Sequence, residues 1–442
     1  MVSAKRPPHS GQAFLSGLFL GISLAIFGVV VIQLVFNPVL SRSLATKEEQ
    51  VLTTVHGRLV KDYVNPPDEK ELMRAGVRGM IESFDDRYCS FLGPEERVAY
   101  QEDSSGKLIG IGVQIARGGT IHYPRPGGPA ENAGLLPGDR ICAVDGQEIA
   151  PDLALDQLTP LIKGPKNSLV HLQIQRGIDE PEFFEVDVLR TPLATGTVAK
   201  VRLVNEELGI GQIHIRSFAR TTPAELDAAL DTLLAQGMKA LILDLRFNRG
   251  GLLDSAVECT GRFLKGGVIC TLEGRNQLRS VRKADPKDCK VPDLPVVVLM
   301  NGLSASGSEV VAGALRDRGK AILVGQQSYG KGVYQQVQQY DDGDFVIKFT
   351  AGYYLTPGGR VIESTIHPDF PGHLEPDLMT PLPSSENLGQ LLSFLQYDDP
   401  PDVYRERVFE IFEGLRTLST PPPDATLDIA VDALQLAMAD AG

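Results

Sequence analysis

At 442 residues the chain is longer than one hydrophobic core usually organises, and its 43% hydrophobic and 22% charged residues are typical of globular proteins. We therefore expect two or three folded units. The formal net charge of −13 argues against a nucleic-acid partner, because phosphate binding requires clustered Lys and Arg side chains.

The N-terminal segment carries one long apolar stretch. No Lys, Arg, Asp or Glu lies between Arg6 and Arg42, and residues 13–36 are almost continuously apolar. As a helix, that stretch would be about 36 Å long, enough to cross a bilayer and longer than a signal-peptide core. We predict a single transmembrane helix as an uncleaved membrane anchor in residues 1–41. Lys5 and Arg6 precede it, which favours a cytoplasmic N-terminus and an extracytoplasmic location, periplasmic or equivalent, for the rest of the chain.

Residues 42–105 follow a helical pattern, with apolar side chains at helical spacing between Pro- and Gly-containing breakers. We interpret them as a helical N-terminal region with a structural role. Residues 106–192 then alternate short apolar runs with Gly and Pro turns, which predicts a small domain made mainly of strands.

The middle of that domain, residues 128–146, reads GPAENAGLLPGDRICAVDG and is similar to the helix–turn–strand segment of PDZ domains in bacterial proteases. A PDZ domain binds a chain terminus as an added strand, while backbone N–H groups hold the terminal carboxylate. The candidate carboxylate loop consists of Ile109, Gly110, Ile111 and Gly112, where glycine permits a close backbone approach; an ordinary hairpin turn is the alternative.

A second candidate part of the PDZ site is a predicted helix with Leu155, Leu158 and Ile162 on one face. These side chains could line the pocket for a terminal side chain, or they could belong to the domain core. The sequence leaves both readings open.

From residue 193 to residue 372 strands alternate with helices, which predicts an α/β unit with both sheet faces partly covered. The predicted strands are 208–215, 240–245, 295–300, 321–325, 333–339 and 344–351. The predicted helices are 222–236, 254–265 and 306–317. In residues 373–442 we predict helices near 385–396, 401–418 and 424–439, which pack on the core or form an oligomer contact.

Two local patterns in the α/β unit carry chemistry. Residues 301–309 read NGLSASGSE, and Ser306 in their middle follows a buried strand and opens a helix. The first turn of a helix offers free N–H groups to a developing oxyanion. Ser304 and Ser308 are rival nucleophiles on the pattern alone, and helix capping is the alternative role for all three serines.

The second pattern is SYGKGVYQ in residues 328–335, with Lys331 between two glycines. A serine hydroxyl attacks a carbonyl only when a base removes its proton, and a lysine is such a base if a dry site lowers its pKa from about 10.4 toward neutrality. Gln335, four residues later, would share a strand face with Lys331 if the strand begins early enough to include the lysine.

Other catalytic patterns are missing from the sequence. No histidine lies in a Ser-His-Asp pattern, and GxSxG, HExxH and P-loop motifs are absent, so neither a metal nor a nucleotide cofactor is indicated. The five cysteines have no CxxC pair, although Cys270 and Cys289 could form a disulfide in an oxidising compartment.

Together with DLRFNRGG in residues 244–251, the serine and lysine motifs resemble those of the carboxy-terminal processing proteases, a serine protease family that couples a Ser/Lys dyad to a PDZ domain. The resemblance covers nearly the whole chain. It implies a crotonase-like α/β protease core with an inserted PDZ domain.

The resemblance also implies residue roles. Ser306 would be the nucleophile, Lys331 the general base, and Gln335 the residue that orients Lys331. The oxyanion hole would be formed by the N–H groups of Gly307 and of either Gly250 or Gly251. Within the catalytic motifs, two positions depart from the family pattern: Gly307 replaces a more usual alanine, and Arg249 stands where the family usually has proline or glycine.

We therefore expect a serine endopeptidase that binds free C-termini of protein or peptide substrates through its PDZ domain and cleaves near them by way of an acyl-enzyme. The expected partners are these substrates and the membrane; a homo-oligomer is the alternative to packing of the C-terminal helices on the core. The alternatives are a catalytically inactive PDZ scaffold of the same fold, and an esterase or amidase that acts on small molecules.

Overall fold

The computed structural model describes residues 46–440 except 178–179, 195, 276–277, 343, 367–371, 397, 413 and 417–419. The predicted membrane anchor in residues 1–41 lies outside the described residues. Within the described part of the chain, no helix is long and apolar enough to span a membrane. The described residues divide into two compact units, residues 46–83 with 341–342, and residues 84–340 with 344–440.

The first unit contains two helices, α1 (Lys47–Asp62) and α2 (Glu69–Glu82), which confirms the predicted helical character of this region. A capping box begins α1: the Glu49 N–H donates to the Thr46 hydroxyl at 3.2 Å, and the Thr46 N–H donates to the Glu49 carboxylate at 2.7 Å. The Asp68 carboxylate caps α2 by accepting the N–H groups of Lys70 at 2.9 Å and Glu71 at 3.0 Å.

The second unit begins with a short strand, β1 (Ser90–Leu92), and helix α3 (Pro94–Ser105). The predicted PDZ domain follows. Its elements are β2 (Lys107–Gly110), β3 (Val113–Ile115), β4 (Ile121–Pro124), α4 (Pro129–Asn132), β5 (Arg140–Val144), β6 (Gln147–Glu148), α5 (Leu155–Ile162), β7 (Leu169–Arg176), β8 (Glu182–Leu189) and β9 (Thr191–Ala194).

The strands of this domain form a four-stranded sheet in the order β6-β5-β7-β8 and two strand pairs, β3 with β4 and β2 with β9. Side chains from the sheet and from α5 share one hydrophobic core. Leu158 and Ile162 belong to that core, whereas Leu155 is exposed.

The α/β core completes the fold. Its elements are β10 (Val198–Asn205), β11 (Ile210–Ile215), α6 (Thr222–Ala235), β12 (Ala240–Asp244), α7 (Leu253–Gly261), β13 (Gly267–Gly274), β14 (Arg279–Ala284), β15 (Val296–Met300), α8 (Gly307–Asp317), β16 (Ala321–Gly325), β17 (Val333–Tyr340), β18 (Phe345–Leu355) and β19 (Leu378–Met379). The C-terminal helices are α9 (Ser385–Gln396), α10 (Asp402–Ile411) and α11 (Ala425–Asp440).

Two sheets organise the core. Six strands in the order β10-β11-β12-β15-β16-β19 form a sheet that is parallel except where β10 pairs with β11. Every residue of β12 and β15 is buried, as expected for central parallel strands with both faces covered. Helices α6, α7 and α8 cover one face of this sheet, and α11 covers the other.

The second sheet is antiparallel, in the order β1-β18-β13-β14, with β17 paired to β18. Strands β10, β13 and β14 were not predicted from the sequence. The residues of β14 are mostly exposed and include three basic side chains, so they lack the apolar alternation that marks a half-buried strand.

Several predicted boundaries were also wrong. The helix expected over 254–265 ends at Gly261, and the helix expected over 401–418 ends at Ile411. Cys270 and Cys289, the pair that could have formed a disulfide, are free thiols.

Candidate active site

Ser306 lies at the turn between β15 and α8, where it is the N-cap residue of the helix. Its backbone φ of 55° is in the left-handed region, which a residue with a Cβ adopts only when its surroundings enforce it. Its N–H donates to Glu309 Oε2 at 2.7 Å, and the N–H of the preceding Ala305 donates to the Asn248 carbonyl at 3.0 Å. Hydrogen bonds to Glu309 and to Asn248 thus fix the backbone of the turn. The Ser306 side chain is half-buried.

The two neighbouring serines have hydroxyl groups that already serve the structure. Ser304 donates to the Leu245 carbonyl at 2.9 Å, and Ser308 donates to the Asn248 carbonyl at 2.8 Å. Both side chains are buried. Of the three serines in the motif, Ser306 is therefore the one whose side chain is not buried.

The Glu309 carboxylate joins the serine motif to the lysine motif. Its Oε2 atom accepts the N–H groups of Ser306 at 2.7 Å and Lys331 at 3.0 Å. Its Oε1 atom accepts the Gly330 N–H at 2.7 Å and the Ser328 hydroxyl at 2.5 Å. Glu309 is fully buried, and burial raises its pKa to about 7 although the four hydrogen bonds oppose the shift.

The Lys331 side chain is half-buried, and its amine contacts Gln335 and Tyr88. It donates a hydrogen bond to Gln335 Oε1 at 3.3 Å and lies 4.2 Å from the centroid of the Tyr88 ring. Burial is the largest cause that lowers the pKa of Lys331, to about 8. The positive charge of Lys348 adds to this effect, while Glu309, Glu363 and Asp86 oppose it.

Tyr354 of β18 also bridges the two motifs. Its hydroxyl donates to the Lys331 carbonyl and is a hydrogen-bond partner of the Ser306 side chain. The residue after Lys331 is also held, because the Gly332 N–H donates to the buried Glu363 carboxylate at 2.9 Å. Among the described hydrogen bonds, the Lys331 amine therefore has Gln335 as its acceptor, whereas the Ser306 side chain is bonded to Tyr354.

The loop after β12 lies against Ser306. A Cβ atom added to Gly250, whose φ is 101°, would be 2.8 Å from Ser306 Cβ and 3.0 Å from the Gly307 nitrogen. The position therefore requires glycine. The Gly250 N–H donates to Asn248 Oδ1 at 2.8 Å, whereas the N–H groups of Gly251 and Gly307 have no acceptor in the described part of the chain. The N–H groups of Gly307 and Gly251, two of the predicted oxyanion donors, are thus unpaired among the described hydrogen bonds.

This loop is fixed at its base by a buried ion network. The Arg246 guanidinium lies 2.6 Å from Asp244 Oδ2 at the end of β12 and 2.8 Å from Asp424 Oδ2, just before α11. The Asn248 side chain donates to the Ile215 carbonyl at 2.9 Å. Arg249, the departure from the family pattern, is exposed.

The predicted carboxylate loop of the PDZ domain is mostly buried. Gly110, Ile111 and Gly112 are buried, and Ile109 is half-buried. The carbonyls of Ile111 and Gly112 accept the N–H groups of Ala130 and Arg125, while the N–H groups of Ile111 and Gly112 have no acceptor in the described part of the chain.

A carboxylate of the chain itself lies at this loop. Glu102 of α3 accepts the Ile109 N–H at 3.4 Å through Oε1 and pairs with Lys163 Nζ at 3.3 Å through Oε2. Lys163 directly follows α5, the helix that carries Leu155. An anion is therefore already present where the sequence predicts that a substrate carboxylate binds.

Sequence reasoning missed Glu309, Tyr88, Tyr354 and Glu102. Glu309 could have been found, because Ser306 and Glu309 have the spacing of a capping box. Tyr88 and Tyr354 reach Lys331 from other segments of the chain, and Glu102 reaches the loop of residues 109–112 from α3; no local pattern identifies these three side chains.

Comparisons with known proteins agree with these motifs. Residues 209–371 match the model for peptidase family S41, and residues 120–176 match a PDZ domain model. The chain is 34% identical over 316 residues to the carboxy-terminal processing protease CtpA of Bacillus subtilis (strain 168), an alignment that covers 70% of this chain and 66% of that protein. It is 32% identical over 374 residues to a CtpA-like serine protease of Staphylococcus aureus (strain COL), covering 83% of this chain and 74% of that one.

Among solved structures, a photosystem II D1 C-terminal processing protease is 25% identical, with a TM-score of 0.44. That match covers 81% of this chain and 99% of the other.

Replacement of the buried carboxylate provides the first test of the site. We expect Glu309→Gln to lower kcat/KM for peptide hydrolysis by at least about 100-fold. In the parent protein both carboxylate oxygens accept hydrogen bonds, whereas the glutamine amide would place its NH₂ group against some of the same N–H and O–H donors. Peptide cleavage assays would measure the loss. Glu258→Gln, at an exposed position of the neighbouring helix α7, is the matched control and should change nothing. Full activity of Glu309→Gln would show that the four hydrogen bonds do not hold the site.

Proposed function

Because the chain belongs to peptidase family S41, with the CtpA-like carboxy-terminal processing serine proteases that carry a PDZ domain, we propose that it is an endopeptidase with Ser306 as nucleophile and Lys331 as general base. The observation that carries the assignment is the shared carboxylate: Glu309 Oε2 accepts the N–H groups of both residues. Two motifs 25 positions apart in sequence are thereby held at one site.

The proposed reaction uses the neutral form of Lys331. With a pKa of about 8, a fraction of about one tenth of the amine is neutral at pH 7. The neutral amine accepts the Ser306 proton as the hydroxyl oxygen attacks the scissile carbonyl. The N–H groups of Gly307 and Gly251 donate to the developing oxyanion. The resulting ammonium then protonates the leaving amine, and water hydrolyses the acyl-enzyme.

The positions of the amine and the hydroxyl require one adjustment before this attack. The Lys331 amine is bonded to Gln335, and the Ser306 side chain is bonded to Tyr354. A side-chain rotation that brings the amine to the hydroxyl would complete the dyad, with Gln335 orienting the amine.

For the PDZ domain we propose that the substrate C-terminus binds as an added strand at the sheet edge next to the loop of residues 109–112. The free N–H groups of Ile111 and Gly112 and the Lys163 amine supply donors for a carboxylate. Glu102 now lies against this loop, so an incoming terminal carboxylate would replace it. Leu155 is the exposed apolar side chain of α5 that a terminal apolar residue could contact.

We further propose that residues 13–36 anchor the protein in a membrane and that the catalytic part is extracytoplasmic. Support for this location comes from the length of the apolar stretch and from the preceding Lys5 and Arg6.

Substitution of the dyad tests the enzymatic assignment. We expect Ser306→Ala to abolish cleavage of a peptide with a free apolar C-terminus, and Lys331→Ala to lower kcat/KM by about 1,000-fold or more, because each removes a group that forms or breaks bonds. In the parent enzyme, kcat/KM should rise with pH through about 8, where Lys331 loses its proton. Steady-state assays between pH 6 and pH 10 would measure both effects.

Ser280→Ala and Lys283→Ala, at exposed positions of β14, are the matched controls and should keep parental activity. Terminal-peptide binding without turnover in the parent protein would instead support the inactive PDZ scaffold. Unchanged cleavage by both dyad variants would contradict the proposed mechanism.

The PDZ proposal predicts a dependence on the substrate terminus. A peptide with an amidated C-terminus should be cleaved with a kcat/KM about tenfold lower than the same peptide with a free carboxylate, because the amide cannot bind Lys163 as an ion pair. Glu102→Gln should lower KM for the free-carboxylate peptide by about threefold to tenfold and leave the amidated peptide unaffected, since the competing charge is gone.

Glu95→Gln, in the exposed first turn of the same helix, is the control for the Glu102 variant. Equal cleavage of the free and amidated peptides would rule out recognition of the terminal carboxylate.

A further inference from the structure

Tyr88 is a direct neighbour of the Lys331 amine, and no motif assigns it a role. It lies just before β1, and its ring centroid is 4.2 Å from Lys331 Nζ. Its hydroxyl is buried. The contact joins a segment near residue 88 to a lysine that is far along the chain, and the two residues belong to the same compact unit.

The segment that carries Tyr88 is held by its own hydrogen bonds. The Tyr88 N–H donates to Asp86 Oδ1 at 2.8 Å, and the Cys89 N–H donates to the Asp86 carbonyl at 2.9 Å. Strand β1 then pairs with β18, the strand that carries Tyr354. The ring therefore has a fixed place beside Lys331.

An aromatic face attracts an ammonium group but has little attraction for a neutral amine. At a distance of 4.2 Å the Tyr88 ring thus favours the charged form of Lys331 and the position in which that charge lies over the ring. A general base must be neutral and must contact the hydroxyl that it deprotonates. The ring therefore opposes both requirements of the proposed reaction.

Other charged groups also face the amine, and they remain when the ring is changed. Lys348 of β18 disfavours the charged form. Glu309 of α8, Glu363 after β18 and Asp86 before β1 favour it. Arg87 lies over the Tyr88 ring, 5.1 Å from its centroid, and competes for the same aromatic surface. The effect of the ring on Lys331 must therefore be measured as a difference between variants in which these charged groups are unchanged.

We propose that Tyr88 is a positioning residue that holds the charged Lys331 amine against its ring and away from the Ser306 hydroxyl, so that the amine must leave the ring before it acts as a base. The inference rests on the proposed function of Lys331. The contacts in the structure agree with this role: the Lys331 amine lies over the Tyr88 ring and is bonded to Gln335, whereas the Ser306 side chain is bonded to Tyr354.

The test compares Tyr88→Leu, which removes the aromatic face and keeps an apolar cover, with Tyr88→Phe, which keeps the face and removes the hydroxyl. Both are made in the full chain. With the free-carboxylate peptide as substrate, Tyr88→Leu should move the acid limb of the kcat/KM profile to lower pH by about 0.5 to 1 unit. At pH 6.5 its kcat/KM should rise about threefold to tenfold. Tyr88→Phe should stay within about twofold of the parent, because phenylalanine also binds cations through its face.

Tyr340→Leu is the matched control, because Tyr340 lies on β17 and stacks on Phe345 instead of the lysine. It should leave the pH profile unchanged. Where Tyr88→Leu fails to fold, replacement of Tyr88 by phenylalanines with increasing fluorine content gives the same information, since fluorine weakens the negative ring face with little change of shape. The acid limb of the kcat/KM profile should then move to lower pH in steps as the fluorine content increases.

An acid limb that stays in place or moves to higher pH in Tyr88→Leu or in the fluorinated series would overturn the role of Tyr88. A lower kcat/KM with an unchanged pH profile would do the same, because it would indicate only structural damage. These outcomes leave the proposed function intact as long as Ser306→Ala and Lys331→Ala are inactive. Full activity of the dyad variants would instead remove the proposed function itself.

Discussion

The structure of the candidate site depends on one buried carboxylate. Glu309 accepts four hydrogen bonds. One comes from the Ser306 N–H in the serine motif, and three come from the lysine motif: the N–H groups of Gly330 and Lys331 and the Ser328 hydroxyl. A buried carboxylate without such donors would be unstable, so the two loops and the helix α8 must fold together. The strained backbone of Ser306 persists because this contact enforces it.

The parallel sheet explains why the other parts of the site meet at the same place. Strands β12 and β15 are neighbours in the sheet and run in the same direction. The loop with Gly250 and Gly251 follows the carboxyl end of β12, and the turn with Ser306 follows the carboxyl end of β15, so both lie at one sheet edge. The ion pairs of Arg246 with Asp244 and Asp424 hold the start of the Gly250 loop in place. Removal of one member would leave a buried charge unpaired.

The sequence predicted the parts of the fold that rest on local patterns. The apolar runs of β12 and β15 and the helix that begins after Ser306 follow from periodicity and capping. Lys331 contacts Gln335, but β17 begins at Val333, so the two residues do not share a strand face as expected. The exposed strand β14 could not be predicted, because its side chains have no buried face. Contacts such as Tyr88 with Lys331 or Glu102 with Lys163 depend on long-range packing, and periodicity contains no information about them.

Covalent labelling tests the central claim, that Ser306 is a nucleophile activated by Lys331, without requiring a natural substrate. The protein would be treated with a fluorophosphonate, and the modified residue would be identified by mass spectrometry at several pH values. We expect the label on Ser306, a rate of attachment that rises through a pH of about 8, and labelling of Lys331→Ala that is at least about 100-fold slower. Labelling of another residue, or of Ser306 at the same rate in Lys331→Ala, would show that Lys331 does not activate Ser306 as a nucleophile.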